Sequence, residues 1–279
     1  MAGWATAAVT VAAIVGAGVA FASAQSRDDV TVAPGSVGSA TAKCKPGRSA
    51  LAGGFASQFD SSSSSKGPLV RYASMPAGSR GIETDGANFS GSDGQLASFA
   101  YCGVHAPQIV SKRVQLFPSS YGNALARCPS GTEAIAGGFA TNKFDPDKGP
   151  RIIAFTSRRA GERKWRVGGF NIGGKSGPGS SGRLIAYAYC SSAAQRIITR
   201  SETVEVDPNA EATVDAGCPS GSRALSGGFD GHFGIGSSDL KASIALTSKR
   251  IDHGLAWRTA AFGIANQPAA VTGYVYCRR

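Results

Sequence analysis

The sequence predicts an all-β fold of three homologous antiparallel, β-sandwich-like repeats, with pseudo-threefold symmetry as one arrangement of them. Three observations carry this reading. Short runs of Val, Ile, Phe and Tyr are broken by Gly, Ser, Pro and Asn at about eight- to twelve-residue intervals, the spacing of strands and turns. Sustained 3.6-residue periodicity, the mark of long amphipathic helices, is missing. One ordered set of motifs also occurs three times, which marks internal repetition.

Each copy begins with an alternating strand: Val30-Thr31-Val32, Val114-Gln115-Leu116 and Val204-Glu205-Val206. A proline follows, at Pro34, Pro118 and Pro208, and a second strand runs into an opening cysteine. The phrase there is Cys44-Lys45-Pro46-Gly47, Cys128-Pro129-Ser130-Gly131 and Cys218-Pro219-Ser220-Gly221, with an inserted-looking Lys in the first copy. A Pro-Gly type of turn sends the chain into a third strand that ends in Gly-Gly-Phe, at Gly53-Gly54-Phe55, Gly137-Gly138-Phe139 and Gly227-Gly228-Phe229. The fourth strand is clearest in 151–157 and 242–248. The fifth holds Trp165 and Trp257, with Ile82 at the equivalent place. The sixth closes on Phe99-Ala100-Tyr101-Cys102, Tyr187-Ala188-Tyr189-Cys190 and Tyr274-Val275-Tyr276-Cys277. Its two aromatics, at i and i+2, share one face and are expected to line the core of each unit.

The Gly-Gly pairs are not phosphate cradles, because no helix N-terminus follows them. They read as bulges, or as places where a neighbouring strand comes too close for a Cβ. Gly168-Gly169 and Gly173-Gly174 are read the same way. These units divide the chain into repeats at 25–104, 105–191 and 192–279. Each repeat is expected to form its own sheet system, and the short connections between repeats predict close packing of the three.

Ahead of the repeats, Ala2 to Phe21 is small, apolar and uncharged, and Ala22-Ser23-Ala24 matches the small-x-small pattern of a cleavage site. Residues 1–24 read as a secretory signal peptide, and the chain as secreted and extracellular. The alternative is an uncleaved N-terminal membrane anchor.

Six cysteines allow fifteen pairings. The repeat singles out Cys44–Cys102, Cys128–Cys190 and Cys218–Cys277, one opening and one closing cysteine per unit at nearly equal spacing. By the loop-entropy model each closure of about 60 residues contributes about 4 kcal/mol. Such bonds persist in an oxidising compartment, which secretion supplies. Zinc is the competing use of the thiols. No Cys-x-x-Cys occurs, and His105, His232 and His253 show no ligand spacing, so no metal and no cofactor is expected.

The formal net charge is +11. Repeats one and three are nearly balanced. The middle repeat holds 13 basic against 4 acidic side chains. Its excess gathers at one hairpin, in Arg158, Arg159, Arg163, Lys164 and Arg166, and these basic side chains are expected to stand in solvent. They are either a solubilising surface or a site for an anionic partner. The classes considered are an acidic polysaccharide, a cell-envelope polymer, a lipid surface and nucleic acid. Nucleic acid is disfavoured, because Trp165 alternates with Lys164 and Arg166 and so points away from them as a stacking platform.

Catalytic signals are weak. No Gly-x-Ser-x-Gly elbow is present. The stretch Asp145-Pro146-Asp147-Lys148-Gly149 lacks most positions of a calcium loop. The serine run 61–65 reads as a surface segment. Paired carboxylates could act only if the fold brought two together.

The phrasing Cys-Pro-x-Gly, Gly-Gly-Phe, Tyr-x-Tyr-Cys resembles a repeat found in uncharacterised secreted bacterial proteins, and the likeness covers nearly all of residues 25–279. It implies a secreted β-repeat protein and no particular activity. In repeat number and in the Cys-Pro/Ser-x-Gly phrase the chain is also similar to the vitelline membrane outer layer family, which implies a prism of three β repeats around a pseudo-threefold axis. The functional expectation is a non-enzymatic binding or surface-associated protein. The alternatives are a hydrolase with a site between repeats and a structural envelope component.

Overall fold

The computed structural model describes residues 24–58, 69–142, 152–173, 181–192, 196–231, 233–235 and 240–279. Residues 1–23 of the expected signal peptide, the serine run and the Asp145–Gly149 stretch lie outside these residues.

The first repeat contributes β1 (Gln25–Val32), β2 (Val37–Lys43), β3 (Ser49–Gln58), β4 (Leu69–Ala77), β5 (Gly81–Asn88) and β6 (Gly94–Gly103). The second contributes β7 (Gln108–Leu116), β8 (Tyr121–Arg127), β9 (Thr132–Ala140), β10 (Ile152–Arg159), β11 (Lys164–Asn171) and β12 (Gly182–Ser192). The third contributes β13 (Ile198–Val206), β14 (Glu211–Gly217), β15 (Arg223–Gly231), the short β16 (Phe233–Ile235), β17 (Leu240–Ile251), β18 (Ala256–Gly263) and β19 (Ala269–Arg278). Six strands per repeat are thus as expected, with β16 an addition that pairs with β17.

The expectation that each repeat builds its own sheets is overturned. Sheet I runs β1-β6-β3-β17-β18-β14, sheet II runs β13-β19-β15-β10-β11-β8, and sheet III runs β2-β5-β4-β9-β12-β7. Every sheet joins the first, sixth and third strands of one repeat to the fourth, fifth and second of another. The exchange is cyclic, so the three sheets close as walls around a pseudo-threefold axis. The reason lies in the turns: hairpins keep β4 with β5, while β3 and β6 pair across the long return, leaving two three-stranded halves per repeat with open edges. Pairing with a neighbour's half covers one edge of each.

The turns follow from their residues. Gly47, Gly131 and Gly221 have φ of +78°, +75° and +74°. They occupy the third position of turns closed by Arg48 N–H to Lys45, Thr132 N–H to Pro129 and Ser222 N–H to Pro219. A glycine adopts this left-handed conformation without steric cost. The first turn is therefore the same length as the others: Lys45 stands where they have proline, and the proline has moved one place on.

The seams between repeats are short. Among the described residues only two residue pairs are in register at each: Thr247↔Ala56 and Ser248↔Phe55, Thr156↔Asp230 and Ser157↔Phe229, Ala73↔Ala140 and Ser74↔Phe139. The Gly-Gly-Phe motif makes these contacts possible. A Cβ on the second glycine, Gly54, Gly138 or Gly228, would run into the carbonyl of Ser248, Ser74 or Ser157. A Cβ on the first would meet the side chain of Ile82, Trp165 or Trp257. Both glycines are thus sites of close approach, as the sequence suggested. The phenylalanines meet on the axis, with Phe55, Phe139 and Phe229 mutually edge-to-face at 5.9–6.1 Å between centroids. Trp165 and Trp257 are buried and donate from Nε1 to Ser157 at 3.0 Å and Ser248 at 2.8 Å.

Beyond each seam the strands separate, and the last tyrosine of a repeat takes over. The N–H of Arg250 donates to the Tyr101 hydroxyl (2.7 Å), and that of Arg159 donates to the Tyr276 hydroxyl (2.8 Å). These tyrosines therefore tie one repeat to the next rather than lining a single unit. At the third seam Pro76 occupies the equivalent place and has no N–H to offer Tyr189.

The disulfides are Cys44–Cys102, Cys128–Cys190 and Cys218–Cys277, with sequence separations of 58, 62 and 59. Each opening cysteine follows the second strand of its repeat and each closing cysteine lies in the sixth. These two strands belong to different sheets, so each disulfide fastens one corner of the prism. No helix among the described residues is long and apolar enough to cross a membrane.

Two expectations follow. Gly137→Ala and Gly227→Ala should each destabilise the protein by more than about 3 kcal/mol, because neither the tryptophan ring nor the backbone behind it can yield. Gly217→Ala, where a Cβ meets nothing within 4 Å, should cost little. Equal denaturation midpoints for the three variants would contradict this packing. The second concerns pH. Burial pushes the Tyr101 phenol up to about 12, against an ordinary 10.0, and raises Tyr189 and Tyr276 further. The unfolded chain then loses these protons first, so their stabilising contribution is full below about pH 10 and falls as pH rises through 12. An alkaline titration should show tyrosinate absorbance in two stages, the second coinciding with unfolding. A single stage in folded protein would show these phenols to be accessible.

Candidate functional site

The outer face of sheet II carries a cleft of about 270 Å³. It lies across a seam, so both repeats two and three line it. From repeat two come Tyr121 and Asn123 on β8, Phe155, Thr156 and Arg158 on β10, and Arg166 on β11. From repeat three come Asp230 and Gly231 on β15. Strand alternation explains the set. Trp165 and Val167 point into the core, which turns Arg166 outward, and Ser157 points to Trp165, which turns Thr156 and Arg158 outward. A bulge between Ala154 and Thr156 accommodates Phe155, which joins the outer face.

One side of the cleft is aromatic. Tyr121 stacks on Phe155 with centroids 5.5 Å apart and planes 23° apart. The Tyr121 ring is exposed, and its hydroxyl accepts a 2.7 Å hydrogen bond from Asn123 Nδ2. The other side is ionic. Asp230 accepts from Thr156 Oγ1 at 2.5 Å and from Arg158 Nε at 2.6 Å. Burial disfavours the charge on Arg158, but Asp230, by charge and by hydrogen bond, holds its guanidinium above the ordinary value. The guanidinium also lies 5.5 Å from the Tyr274 ring centre. Arg166, in register with Arg158, is exposed and has no ion pair among the described residues. The cleft thus combines a stacking surface, an amide, a braced Arg–Asp pair and an uncommitted cation.

The basic cluster expected to stand together in solvent is divided. Arg158 and Arg166 face the cleft. Arg159 turns the other way, with its side chain only 9% exposed, pairs with Glu133 at 2.9 Å and donates to the carbonyls of Ala134 and Glu162. Arg163 donates from Nε and Nη2 to the Cys128 carbonyl. Lys164 is half-buried and lies opposite Arg127. Arg159 and Arg163 therefore brace the hairpin.

Register identifies the same positions on the other sheets. Sheet I carries Leu246, Lys249, Arg258, Ala56, Glu211 and Thr213. Sheet III carries Tyr72, Met75, Glu83, Ala140, Val37 and Ser39. The chemistry is not repeated, so the cleft is one site rather than one of three. On sheet III, Glu83 and Asp85 share the outer face. Burial, then the charge of Asp85, raises Glu83, and the Tyr72 phenol beside them is pushed up to about 12. Among the described residues no group of three or more His, Cys, Asp or Glu could hold a metal.

Sequence reading found Arg158 and Arg166 and missed the rest. A signal for Asp230 was available: Gly-Gly-Phe is followed by Ala56 and Ala140 in the other copies and by a carboxylate only in the third. No protein-family model matches the chain, and comparison with curated proteins gives no match either.

The split predicts unequal variants. Arg159→Ser should cost about 2–3 kcal/mol, since it strands Glu133 and two carbonyls. Arg166→Ser should change stability by no more than about 0.5 kcal/mol. Matching thermal midpoints for the two variants would mean that Arg159 has no bracing role.

Proposed function

We propose that the protein is a secreted, non-enzymatic binding protein whose cleft on sheet II takes an acidic sugar unit of an extracellular or cell-envelope polysaccharide. The observation that carries this reading is the exposed Tyr121 ring, stacked on Phe155, across from the uncommitted Arg166. A sugar ring presents an apolar face to an aromatic one, its hydroxyls suit Asn123 and the outer lone pairs of Asp230, and its carboxylate suits a guanidinium. The three disulfides fit an oxidising compartment. Binding is favoured over hydrolysis because, among the described residues, Asp230 is the one carboxylate lining the cleft, and it is already committed to Arg158 and Thr156. Glycoside hydrolysis ordinarily requires two. The three-walled arrangement also fits kinship with the vitelline membrane outer layer proteins, which we offer as part of the same proposal.

Glycan-array binding, followed by titration with the best uronic-acid oligosaccharide, tests it. Tyr121→Ala and Arg166→Ser should each weaken binding about tenfold, or about 1.4 kcal/mol. The arginine-dependent part should shrink with added salt, since exposed charges are screened beyond about 10 Å near 0.1 M. Unchanged affinity in both variants would refute the site. Glycan cleavage abolished by Glu83→Gln or Asp85→Asn would favour the hydrolase alternative instead.

A further inference from the structure

Arg71 lies in the axial core rather than on a surface. It sits on β4 opposite Gly86, where a bulge separates it from Ala73. The equivalent positions in the other two repeats hold Ala154 and Ala245, which lie in the same apolar cluster as the three axial phenylalanines. Arg71 is 2% exposed. Its guanidinium carbon stands 3.9 Å from the Phe55 ring centre and 5.8 Å from that of Phe229. Nε and Nη1 are both buried and have no hydrogen-bond partner among the described residues. No ion pair reaches this residue among the described residues.

At 3.9 Å from the ring centre the guanidinium carbon is in contact with the Phe55 ring, and that contact supplies no hydrogen-bond acceptor in the plane of Nε and Nη1. A desolvated cation–π contact offsets only part of the cost of burying an unpaired ion, and each idle buried donor adds to that cost. Burial lowers the Arg71 pKa to about 9, so the group still carries its proton at neutral pH. Among the described residues no carboxylate pairs with this buried cation, so its charge and its Nε and Nη1 donors suit an anion.

We propose that Arg71 forms an interior anion site that holds one small, monovalent inorganic anion of the halide class in the axial core. A single charge matches the single guanidinium. A divalent anion would leave one charge uncompensated among Phe55, Phe229, Ala154 and Ala245. The surroundings offer apolar contact, so anions that shed water readily, bromide and chloride, should bind better than fluoride or sulfate. The ion would serve stability, independently of the cleft on sheet II.

The test uses the whole disulfide-bonded protein. Thermal midpoints are measured as fluoride is exchanged for chloride or bromide at constant ionic strength, for wild type and for Arg71→Met, which removes the charge and keeps the volume. Wild type should gain stability saturably, by about 5–10 °C at a halide concentration a hundredfold above its dissociation constant. Arg71→Met should show no halide increment, and in fluoride it should melt above wild type. Parallel halide responses in the two proteins would overturn the proposal. If the variant does not fold, anomalous diffraction from wild-type crystals grown in bromide decides: a bromide within hydrogen-bond reach of Arg71 supports the site, and its absence at saturating bromide overturns it.

Discussion

The structure depends on how closely two strands from different repeats can approach at a seam. Among the described residues only two residue pairs are in register at each seam, and a few hydrogen bonds around them complete the join between the halves of each sheet. The Gly-Gly-Phe motif is built around that contact. The second glycine admits the partner's serine carbonyl, the first gives room to a tryptophan or isoleucine, and the phenylalanine reaches the axis. Past the seam, the tyrosine hydroxyl accepts an N–H that no strand is left to pair with. An unpaired buried N–H would cost about 1–3 kcal/mol, so the tyrosine both fills space and satisfies the backbone. The disulfides lie at the corners and hold together second and sixth strands that belong to different sheets.

The first repeat meets this constraint with different residues. Ile82 replaces tryptophan, Pro76 removes the N–H that a tyrosine accepts elsewhere, and Arg71 replaces an alanine in the axial core. All three lie on β4 and β5, the half that the first repeat gives to sheet III. A smaller side chain at the corner, a missing donor at the seam and a long side chain on the axis are departures within one half of the first repeat. The rest of the motif, from Gly137-Gly138-Phe139 to Ser74, keeps its geometry there.

Threefold repetition constrains most of the interior, the first repeat's β4–β5 half apart, and leaves the outer faces free to diverge. A substitution on an outer face touches solvent and two or three neighbours, whereas an axial residue meets its counterparts from both other repeats. The cleft on sheet II is therefore unique although the frame is repeated. Asp230 on one side of the seam and Arg158 on the other come from different repeats, and their 2.6 Å pairing exists only because strands are exchanged.

Much of the fold was legible in the sequence. Strand number, turns, cysteine pairing and the close approach at the glycines all follow from local rules: period-two alternation, left-handed glycine and repeated spacing. The alternation of Trp165 with its neighbours also placed Arg166 outward. The seam was not legible, because a strand's edge hydrogen bonds are the same whether its partner lies in its own repeat or the next, and no side-chain pattern distinguishes the two. For the same reason five basic residues looked like one patch. The alternation that sends Arg159 inward could be counted, but Glu133 and the carbonyls it meets could not be foreseen. By itself the sequence determined three all-β repeats, each closed by its own disulfide. Only the tertiary structure decided which halves share a sheet, and hence that a cleft spans two repeats and a charged Arg71 lies on the axis, because both depend on contacts between residues far apart in the chain.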